Sequence, residues 1–160
     1  MQTSFTKLMG IDYPVIMAPM FLVSNPKMII EALNNGITAA IPALNFRTDE
    51  DLRRAITEIK EASNKPFGIN LIVNKSNIKY KKQLSTCVEL KVDFIITSLG
   101  SPKEVIDKCK PADIKVFCDV VDLKFALKVA ELGADAVIAV NSSAGGHAGN
   151  MTAEELVPLL

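Results

Sequence analysis

The sequence predicts an α/β domain built from repeated strand–helix units, and three observations support this fold class. Short apolar runs recur about every 20 to 30 residues along the chain. The runs are nearly continuous rather than alternating, which is typical of strands buried on both faces of a parallel sheet. Helix start and stop signals lie between the runs, so a helix is expected after each strand.

Six strands are predicted from these runs. They are Pro14–Met20 (PVIMAPM), Thr38–Leu44 (TAAIPAL), Phe67–Val73 (FGINLIV), Asp93–Gly100 (DFIITSLG), Lys115–Val121 (KVFCDVV) and Ala134–Val140 (ADAVIAV). The chain has no low-complexity tract and no linker rich in serine and proline. Residues 1–160 are therefore expected to form a single domain.

The helices after the first two strands have clear end signals. The first should begin at Asn25, because asparagine is a favoured N-cap and Pro26 suits the first helical position. Gly36 should end this helix. The second should follow Thr48, since the acidic residues after it complement the helix dipole. Its buried face is expected to consist of Leu52, Ala55, Ile56 and Ile59.

Two later helices are also predicted. The helix after the fifth strand should bury one apolar stripe and end at Gly133. The stripe consists of Leu123, Ala126, Leu127 and Ala130. Thr152 and Glu155 form a capping-box pattern that opens a last helix. Pro158 should kink or end that helix, because proline has no amide donor.

Six strand–helix units fit two architectures, a TIM barrel and a doubly wound open sheet. The first strand–helix turn reads APMFLVSNP and lacks the GxGxxG pattern of dinucleotide-binding sheets, which favours the barrel. A complete barrel has eight units, and about six are present here. The chain is therefore interpreted as part of a larger barrel, because nothing would cover its apolar residues at 156, 157, 159 and 160. An open sheet of six units is the alternative.

Composition argues against several kinds of partner. Basic and acidic residues number 18 each, whereas nucleic acids and anionic membranes attract a basic excess. No apolar run is long enough to span a bilayer, and the N-terminus lacks the pattern of a secretory signal. Cys87, Cys109 and Cys118 are too far apart for a zinc motif, so no metal is expected. Free thiols suit a reducing cytoplasm, where we expect the protein to be located.

Candidate functional residues lie where the predicted strands end, because ligands bind at the carboxyl ends of parallel strands. Ala18, Pro19 and Met20 end the first strand, and Asn70 lies in the third. A polar side chain within a buried strand needs a partner, which is either neighbouring backbone or a ligand. Asp119, in the fifth strand, could cap the following helix or orient a loop.

The segment SSAGGHAGN, residues 142–150, follows the sixth strand and contains the only histidine of the chain, His147. Gly145 and Gly146 either form a tight turn or let backbone amides approach a planar or anionic ligand. An imidazole changes charge near neutral pH, so it can take or give a proton. A lone histidine is often structural, but a glycine-rich loop at the carboxyl end of a strand favours a catalytic role for His147.

Four stretches of the chain resemble the nitronate monooxygenase family, formerly called 2-nitropropane dioxygenases. They are PVIMAPM at the first strand, KPFGINLIV at the third, ELGADAVIAV at the sixth and AGGHAG (Ala144–Gly149) after it. The flavin-dependent enoyl-ACP reductases share the AGGHAG signature. The resemblance extends from about Tyr13 to the C-terminus, and the order of the four stretches makes it specific.

The resemblance implies a TIM barrel that holds FMN at its carboxyl rim. It implies that Asn70 hydrogen-bonds the flavin and that His147 is the catalytic residue beside the reactive ring. Six further residues are expected to lie against the isoalloxazine: Ala18, Pro19, Met20, Ala144, Gly145 and Gly146.

The implied reaction is oxidation of a nitronate or nitroalkane by FMN and O2 to a carbonyl compound and nitrite. His147 would serve as the base when the substrate is a neutral nitroalkane. One alternative is an FMN-dependent enoyl-ACP reductase that uses NAD(P)H. Another is a non-catalytic α/β protein that binds a metabolite or a partner. The sequence also leaves a homo-oligomer open.

The chain departs from the family pattern in three places. Asn141–Ser143 stand where many relatives have a glycine and an acidic residue before AGGH. The segment FCDVV lacks the lysine that some relatives have near the end of the fifth strand. Strands seven and eight, whose loops grip the phosphate in the family, are not among these 160 residues. The 160-residue chain by itself is therefore expected to bind FMN weakly or not at all.

Overall fold

The computed structural model describes residues 2–160 as six parallel strands curled into a half-barrel with helices. This confirms the predicted TIM-barrel-type fold with about six of eight units. The strands are β1 (Ile16–Met17), β2 (Thr38–Pro42), β3 (Gly68–Ile72), β4 (Phe94–Ser98), β5 (Lys115–Val120) and β6 (Ala136–Ala139), and they pair in chain order. The helices are α1 (Ser4–Met9), α2 (Pro26–Asn34), α3 (Asp49–Ala62), α4 (Tyr80–Glu89), α5 (Lys103–Cys109), α6 (Leu123–Glu131) and α7 (Ala153–Leu156).

All six predicted strands are present, and each is shorter than predicted. β1 pairs with β2 through only two residues. Pro14 and Pro19 lie on either side of this pairing, and a proline cannot donate a hydrogen bond to a sheet ladder. β2 ends at Pro42, where a 3-10 turn, Ala43–Asn45, begins. The four inner strands are almost completely buried, as their continuous apolar runs predict.

The predicted helix caps are confirmed. Asn25 and Thr48 each accept a backbone hydrogen bond in the first turn of α2 and α3, at 3.2 and 3.1 Å. Thr152 and Glu155 form the capping box at the start of α7. Helix α7 is followed directly by a 3-10 turn that contains Pro158, so the proline ends the α-helix as expected.

Helix α6 buries a different face from the predicted stripe. Ala126 and Val129 are buried, whereas Leu123 and Leu127 are 39% and 57% exposed. Ala130 is exposed as well. Lys124, Lys128 and Glu131 share one face of α6. The buried residues lie opposite this polar face, and the predicted stripe was centred to one side of them.

Two apolar layers cover the two faces of the curled sheet. On one face, helices α2 to α6 pack against strand residues that include Ile69 and Ile95. On the concave face, Phe94 and Phe117 stack with their ring centroids 5.0 Å apart. A Cβ atom at Gly68 would lie 2.2 Å from Phe94 Cε2, so this glycine makes room for the ring. The concave layer thus has no space for a ligand at this level.

Helix α1, which the sequence patterns did not predict, covers the amino end of the concave layer. Phe5 contacts Phe117 with ring centroids 6.1 Å apart. Met9, at the end of α1, and Ile11 are buried in the same cluster. Helix α1 therefore covers the concave apolar layer at this end of the half-barrel.

Strands β1 and β6 are the sheet edges, each with one strand neighbour among residues 2–160. Leu156 is buried, which corrects the expectation that this residue is uncovered. Val157, Leu159 and Leu160 are exposed, as expected. None of the helices formed by residues 2–160 has the length and hydropathy needed to cross a membrane.

Candidate active site

Three polar side chains lie directly above the apolar layer on the concave face. Asn70 in β3, Ser98 at the end of β4 and Asp119 in β5 share this face, because strand residues two apart point the same way. The strand register pairs Asn70 with Ile96 of the concave cluster. Polar groups thus begin where the packed core ends, at the carboxyl side of three neighbouring strands.

These three side chains form one line of hydrogen bonds with a fixed direction. Asn70 Nδ2 donates to the carbonyl oxygen of Ile96 at 3.2 Å and to Ser98 Oγ at 2.8 Å. The carbonyl oxygen can only accept, so the amide nitrogen must occupy this position. Ser98 Oγ then donates its single proton to Asp119 Oδ2 at 2.5 Å. Asn70 Oδ1 accepts no hydrogen bond from residues 2–160.

The geometry excludes one of the two predicted roles of Asp119. It does not cap the following helix, because Asp122 accepts the hydrogen bond from Phe125 N at 2.8 Å. Its carboxyl group is partly buried on the concave face. Burial raises the pKa of the Asp119 carboxyl, and the hydrogen bond from Ser98 only partly offsets this.

The raised pKa of Asp119 predicts a pH-dependent stability difference for Asp119→Asn. An acid with a raised pKa contributes stability that is lost as the pH rises through its value in the folded protein. The variant should therefore melt at a higher temperature than the wild type at about pH 7, and this gain should vanish at about pH 3 or below, where Asp119 is largely protonated in both states. Thermal melts at both pH values test this. An equal difference at the two pH values would refute it.

The segment after β1 contains the predicted residues Ala18, Pro19 and Met20. Ala18 and Met20 are exposed and Pro19 is partly buried, at the carboxyl end of the edge strand. Asn45, just after β2, holds this segment in place. Its Oδ1 accepts from Leu22 N at 2.9 Å, and its Nδ2 donates to the carbonyl oxygens of Ser24 and Met20 at 2.8 and 3.4 Å.

Replacement of Asn45 by alanine should loosen the Met20–Ser24 segment. The change removes three hydrogen bonds and leaves backbone groups to find water, so we expect a loss of about 1–2 kcal/mol in the free energy of unfolding. Hydrogen exchange at the amide of Leu22 should accelerate. Asn64→Ala, at an exposed site before β3, is the matched control and should change neither measurement. An unchanged amide exchange rate in Asn45→Ala would contradict this account.

The loop after β6 is organised by Asn141. Its backbone oxygen accepts from Ala144 N at 3.2 Å and from Gly149 N at 3.1 Å, while its Oδ1 accepts from Ser143 N at 2.8 Å. The Asn141 side chain thus closes the loop by an Asx turn.

His147 is exposed at the tip of this loop and makes no hydrogen bond with residues 2–160. Gly146 has φ of 97°, a backbone conformation that favours glycine. A Cβ atom at Gly145 would have no neighbour within 4 Å, so open space adjoins the backbone there. Ala144 is partly buried. The loop presents an accessible imidazole beside an open stretch of backbone.

The predicted site residues thus lie in three places at one end of the sheet. Asn70 is on the concave face, the Ala18–Met20 segment follows β1, and the His147 loop follows β6. Within residues 2–160, no hydrogen bond joins these three groups to one another. Sequence reasoning did not assign roles to Ser98 and Asn141. The alternation of inward and outward residues in β4 was the available signal for Ser98.

Several other features of residues 2–160 lie away from the carboxyl end or lack the chemistry of a site. Two surface depressions lie at the opposite, amino end of the sheet, one beside α1 and one beside the ends of α2 and α3. Among residues 2–160, no three side chains of His, Cys, Asp or Glu are grouped as metal ligands. Cys87, Cys109 and Cys118 are buried and unpaired. Burial raises the pKa of Cys109 to about 12, so this thiol is not a nucleophile at neutral pH.

Comparison with known proteins agrees with this architecture. The chain is 31% identical over 158 residues to (3aS,4S,5R,7aS)-5-hydroxy-7a-methyl-1-oxo-octahydro-1H-indene-4-carboxyl-CoA dehydrogenase of Rhodococcus jostii, covering 99% of this chain and 44% of that protein. It is 26% identical to a probable nitronate monooxygenase of Staphylococcus saprophyticus, covering all of this chain and 55% of the relative. The chain therefore spans about half the length of the relatives it matches.

Solved structures show the same fold. FabK from Thermotoga maritima superimposes with a TM-score of 0.91 at 31% identity, covering 98% of this chain and 50% of FabK. A nitroalkane oxidase from Streptomyces ansochromogenes gives a TM-score of 0.80 at 21% identity, covering 96% of this chain and 53% of that protein. The second likeness concerns the fold alone.

A curled parallel sheet with polar groups gathered at its carboxyl end is the arrangement of α/β-barrel enzymes, and the relatives with this arrangement are oxidoreductases. The chain belongs to the nitronate monooxygenase family, whose profile matches residues 2–83 and 75–160. The resemblance predicted from AGGHAG and the three other stretches, including that to enoyl-ACP reductases, is confirmed.

Proposed function

We propose that residues 1–160 are the N-terminal part of an FMN-binding barrel that acts as a nitronate monooxygenase. The observation that carries the proposal is the exposed His147, which lies in a glycine-rich loop at the same end of the sheet as the free acceptor of Asn70. Membership of the nitronate monooxygenase family supports it. The relatives are about twice as long as this chain, so activity is assayed on the full-length protein. Full-length protein here means the polypeptide of which residues 1–160 are the whole or a part.

The residues at the carboxyl end fit a flavin. Asn70 Oδ1 is a hydrogen-bond acceptor at the floor of the site, and both directions of its Nδ2 are already used by Ile96 and Ser98. It therefore suits an N–H donor such as the one on an isoalloxazine ring. The open space at Gly145 and the exposed Met20 would leave room on either side for a flat ligand. A few placed polar groups beside an apolar layer are typical of sites that bind such a ring.

In the proposed reaction, this chain supplies position and proton handling. Bound FMN would supply the electron acceptor, and O2 the final oxidant, for converting a nitronate into a carbonyl compound and nitrite. His147 takes the proton from the carbon next to the nitro group when the substrate is a neutral nitroalkane. Asn70 holds the ring donor, and the apolar layer around Phe94 and Phe117 seals the site from below.

A second candidate is an FMN-dependent reductase or dehydrogenase that acts on a thioester. The similarity to FabK and to the Rhodococcus CoA dehydrogenase favours it, since each is 31% identical to this chain, against 26% for the staphylococcal monooxygenase. In this case NAD(P)H would reduce the flavin, as in enoyl-ACP reductases. The residues described here are common to both reactions, so the choice depends on the electron donor.

One anaerobic experiment separates the candidates. The full-length protein, loaded with FMN, is mixed without oxygen with propionate 3-nitronate, with NADH or with NADPH, and the flavin absorbance is followed. Bleaching by the nitronate alone is the result we expect. Rapid bleaching by a nicotinamide would support the reductase instead. No bleaching by any donor, or no FMN bound, would contradict both and favour a binding protein.

The compartment and the partners follow from the same proposal. Three buried free thiols support a reducing compartment, and we infer the cytoplasm. The substrate is a small molecule, and O2 is the co-substrate.

A further inference from the structure

The partly buried carboxyl of Asp119 has no role in the fold that accounts for it. It caps no helix, and no ion pair reaches it from residues 2–160. Its hydrogen-bond partner is the Ser98 hydroxyl. Burying a carboxyl group without a cation costs stability, so an apolar residue would serve the fold better. The cost of burying the Asp119 carboxyl group therefore indicates that this residue has a role at the site.

The donors and acceptors in the hydrogen bonds from Asn70 through Ser98 to Asp119 indicate what that role is. Ser98 has one hydroxyl proton, and Asp119 accepts it, so the lone pairs of Ser98 Oγ face the amide of Asn70. The amide nitrogen is thereby held against Ser98 and the carbonyl oxygen of Ile96. Asn70 Oδ1 is then the one polar atom of the Asn70 side chain without a partner among residues 2–160. Without the acceptor on Asp119, the hydroxyl could turn its proton toward the amide and displace it.

We propose that Asp119 is a positioning residue that, through Ser98, fixes Asn70 with its carbonyl oxygen presented to a ring N–H donor. This inference rests on the proposed flavin site. A chain of hydrogen bonds that ends in a carboxylate also polarises its members, which makes Asn70 Oδ1 a stronger acceptor. The ligand chemistry implied is a heteroaromatic ring with an amide-like N–H, as in a flavin.

A double-mutant cycle on FMN affinity tests the proposal. In the full-length protein, Asp119→Ala and Ser98→Ala should each weaken FMN binding about tenfold, the usual worth of one charge-assisted hydrogen bond. Asp119→Asn keeps an acceptor facing Ser98 and should stay within about threefold of the wild type. In an Asn70→Ala background, Asp119→Ala should have no further effect, because the residue it positions is gone.

The matched control is Thr97→Val, which removes a hydroxyl from the neighbouring residue on the opposite face of β4. It should leave FMN affinity unchanged. A readout without flavin is the Asn70 side-chain amide in a ¹H–¹⁵N spectrum, assigned by its loss in Asn70→Ala. Its resonances should shift in Asp119→Ala and in Ser98→Ala, but not in Thr97→Val. Melting curves show whether each variant folds, and Ser98→Ala serves if Asp119→Ala does not.

The outcomes distinguish this inference from the proposed function. Losses of affinity that add in the Asp119→Ala/Asn70→Ala double variant would overturn the inference while the flavin site stands. An Asn70 amide that does not respond to Asp119→Ala would also overturn it. A wild-type protein without affinity for FMN would overturn both the proposed function and the inference.

Discussion

Replacement of His147 by alanine should lower the turnover of a neutral nitroalkane by the full-length protein at least about a hundredfold, the typical worth of a placed general base. His147 is the only imidazole of residues 1–160 and is exposed at the carboxyl end of the half-barrel. Within residues 2–160 it makes no hydrogen bond that would give it a structural role. Loss of this side chain should therefore act on the chemistry and leave the melting temperature unchanged.

A preformed nitronate serves as the control substrate for the His147→Ala variant. A preformed nitronate has already lost the proton that His147 would remove, so His147→Ala should retain much more of its activity with the nitronate than with the nitroalkane. Initial rates with both substrates, at equal FMN content, measure this difference. Near-normal turnover of the nitroalkane would remove the assignment of His147 as the base. Equal losses with both substrates would show that the residue acts in another way.

Replacement of Gly149 by alanine should have the second large effect. A Cβ atom at this position would lie 2.3 Å from the backbone oxygen of Val140 and 3.4 Å from Val121 Cγ1. Backbone cannot give way as a flexible side chain can, so the loop must move away from the end of β6. We expect a loss of about 1–3 kcal/mol in the free energy of unfolding. We also expect a fall of up to about a hundredfold in turnover, since small displacements of catalytic groups cost that much.

Gly145→Ala, four residues earlier, is the matched control for stability. An added Cβ there meets nothing within 4 Å, and the φ angle is not positive. Without ligand this variant should melt at the wild-type temperature, whereas Gly149→Ala should melt lower. Equal melting temperatures for Gly149→Ala and the wild type would show that the Gly149 contact with Val140 does not hold the loop.

The fold was largely predictable because the inner strands are buried on both faces. Such strands have continuous apolar sequences, and the caps at Asn25 and Thr48 are local signals that operate within one helical turn. The buried face of helix α6 was mispredicted for a different reason. Its charged residues occupy one face, and the predicted stripe was centred to one side of the opposite face, where Ala126 and Val129 are buried. Helix α1 is short, and its position at the amino end of the concave layer depends on contacts distant in sequence.

The candidate site was predictable in part. Asn70 and His147 were identifiable because a polar residue in a buried strand and a histidine among glycines are unusual local patterns. The link from Asn70 to Asp119 was not, because it runs through Ser98 on a strand 28 residues away from Asn70 and depends on register. The assignment of FMN contacts to Ala18–Met20 and Ala144–Gly146 stays a prediction.

The central claim is that the carboxyl end of this half-barrel holds a flavin between Asn70 and His147. A crystal structure of the full-length protein with FMN tests it most directly. We predict that Asn70 Oδ1 lies about 3 Å from a ring N–H donor and that the His147 imidazole lies about 4 Å from the ring. FMN bound at another place, or a His147 side chain far from the ring, would contradict it.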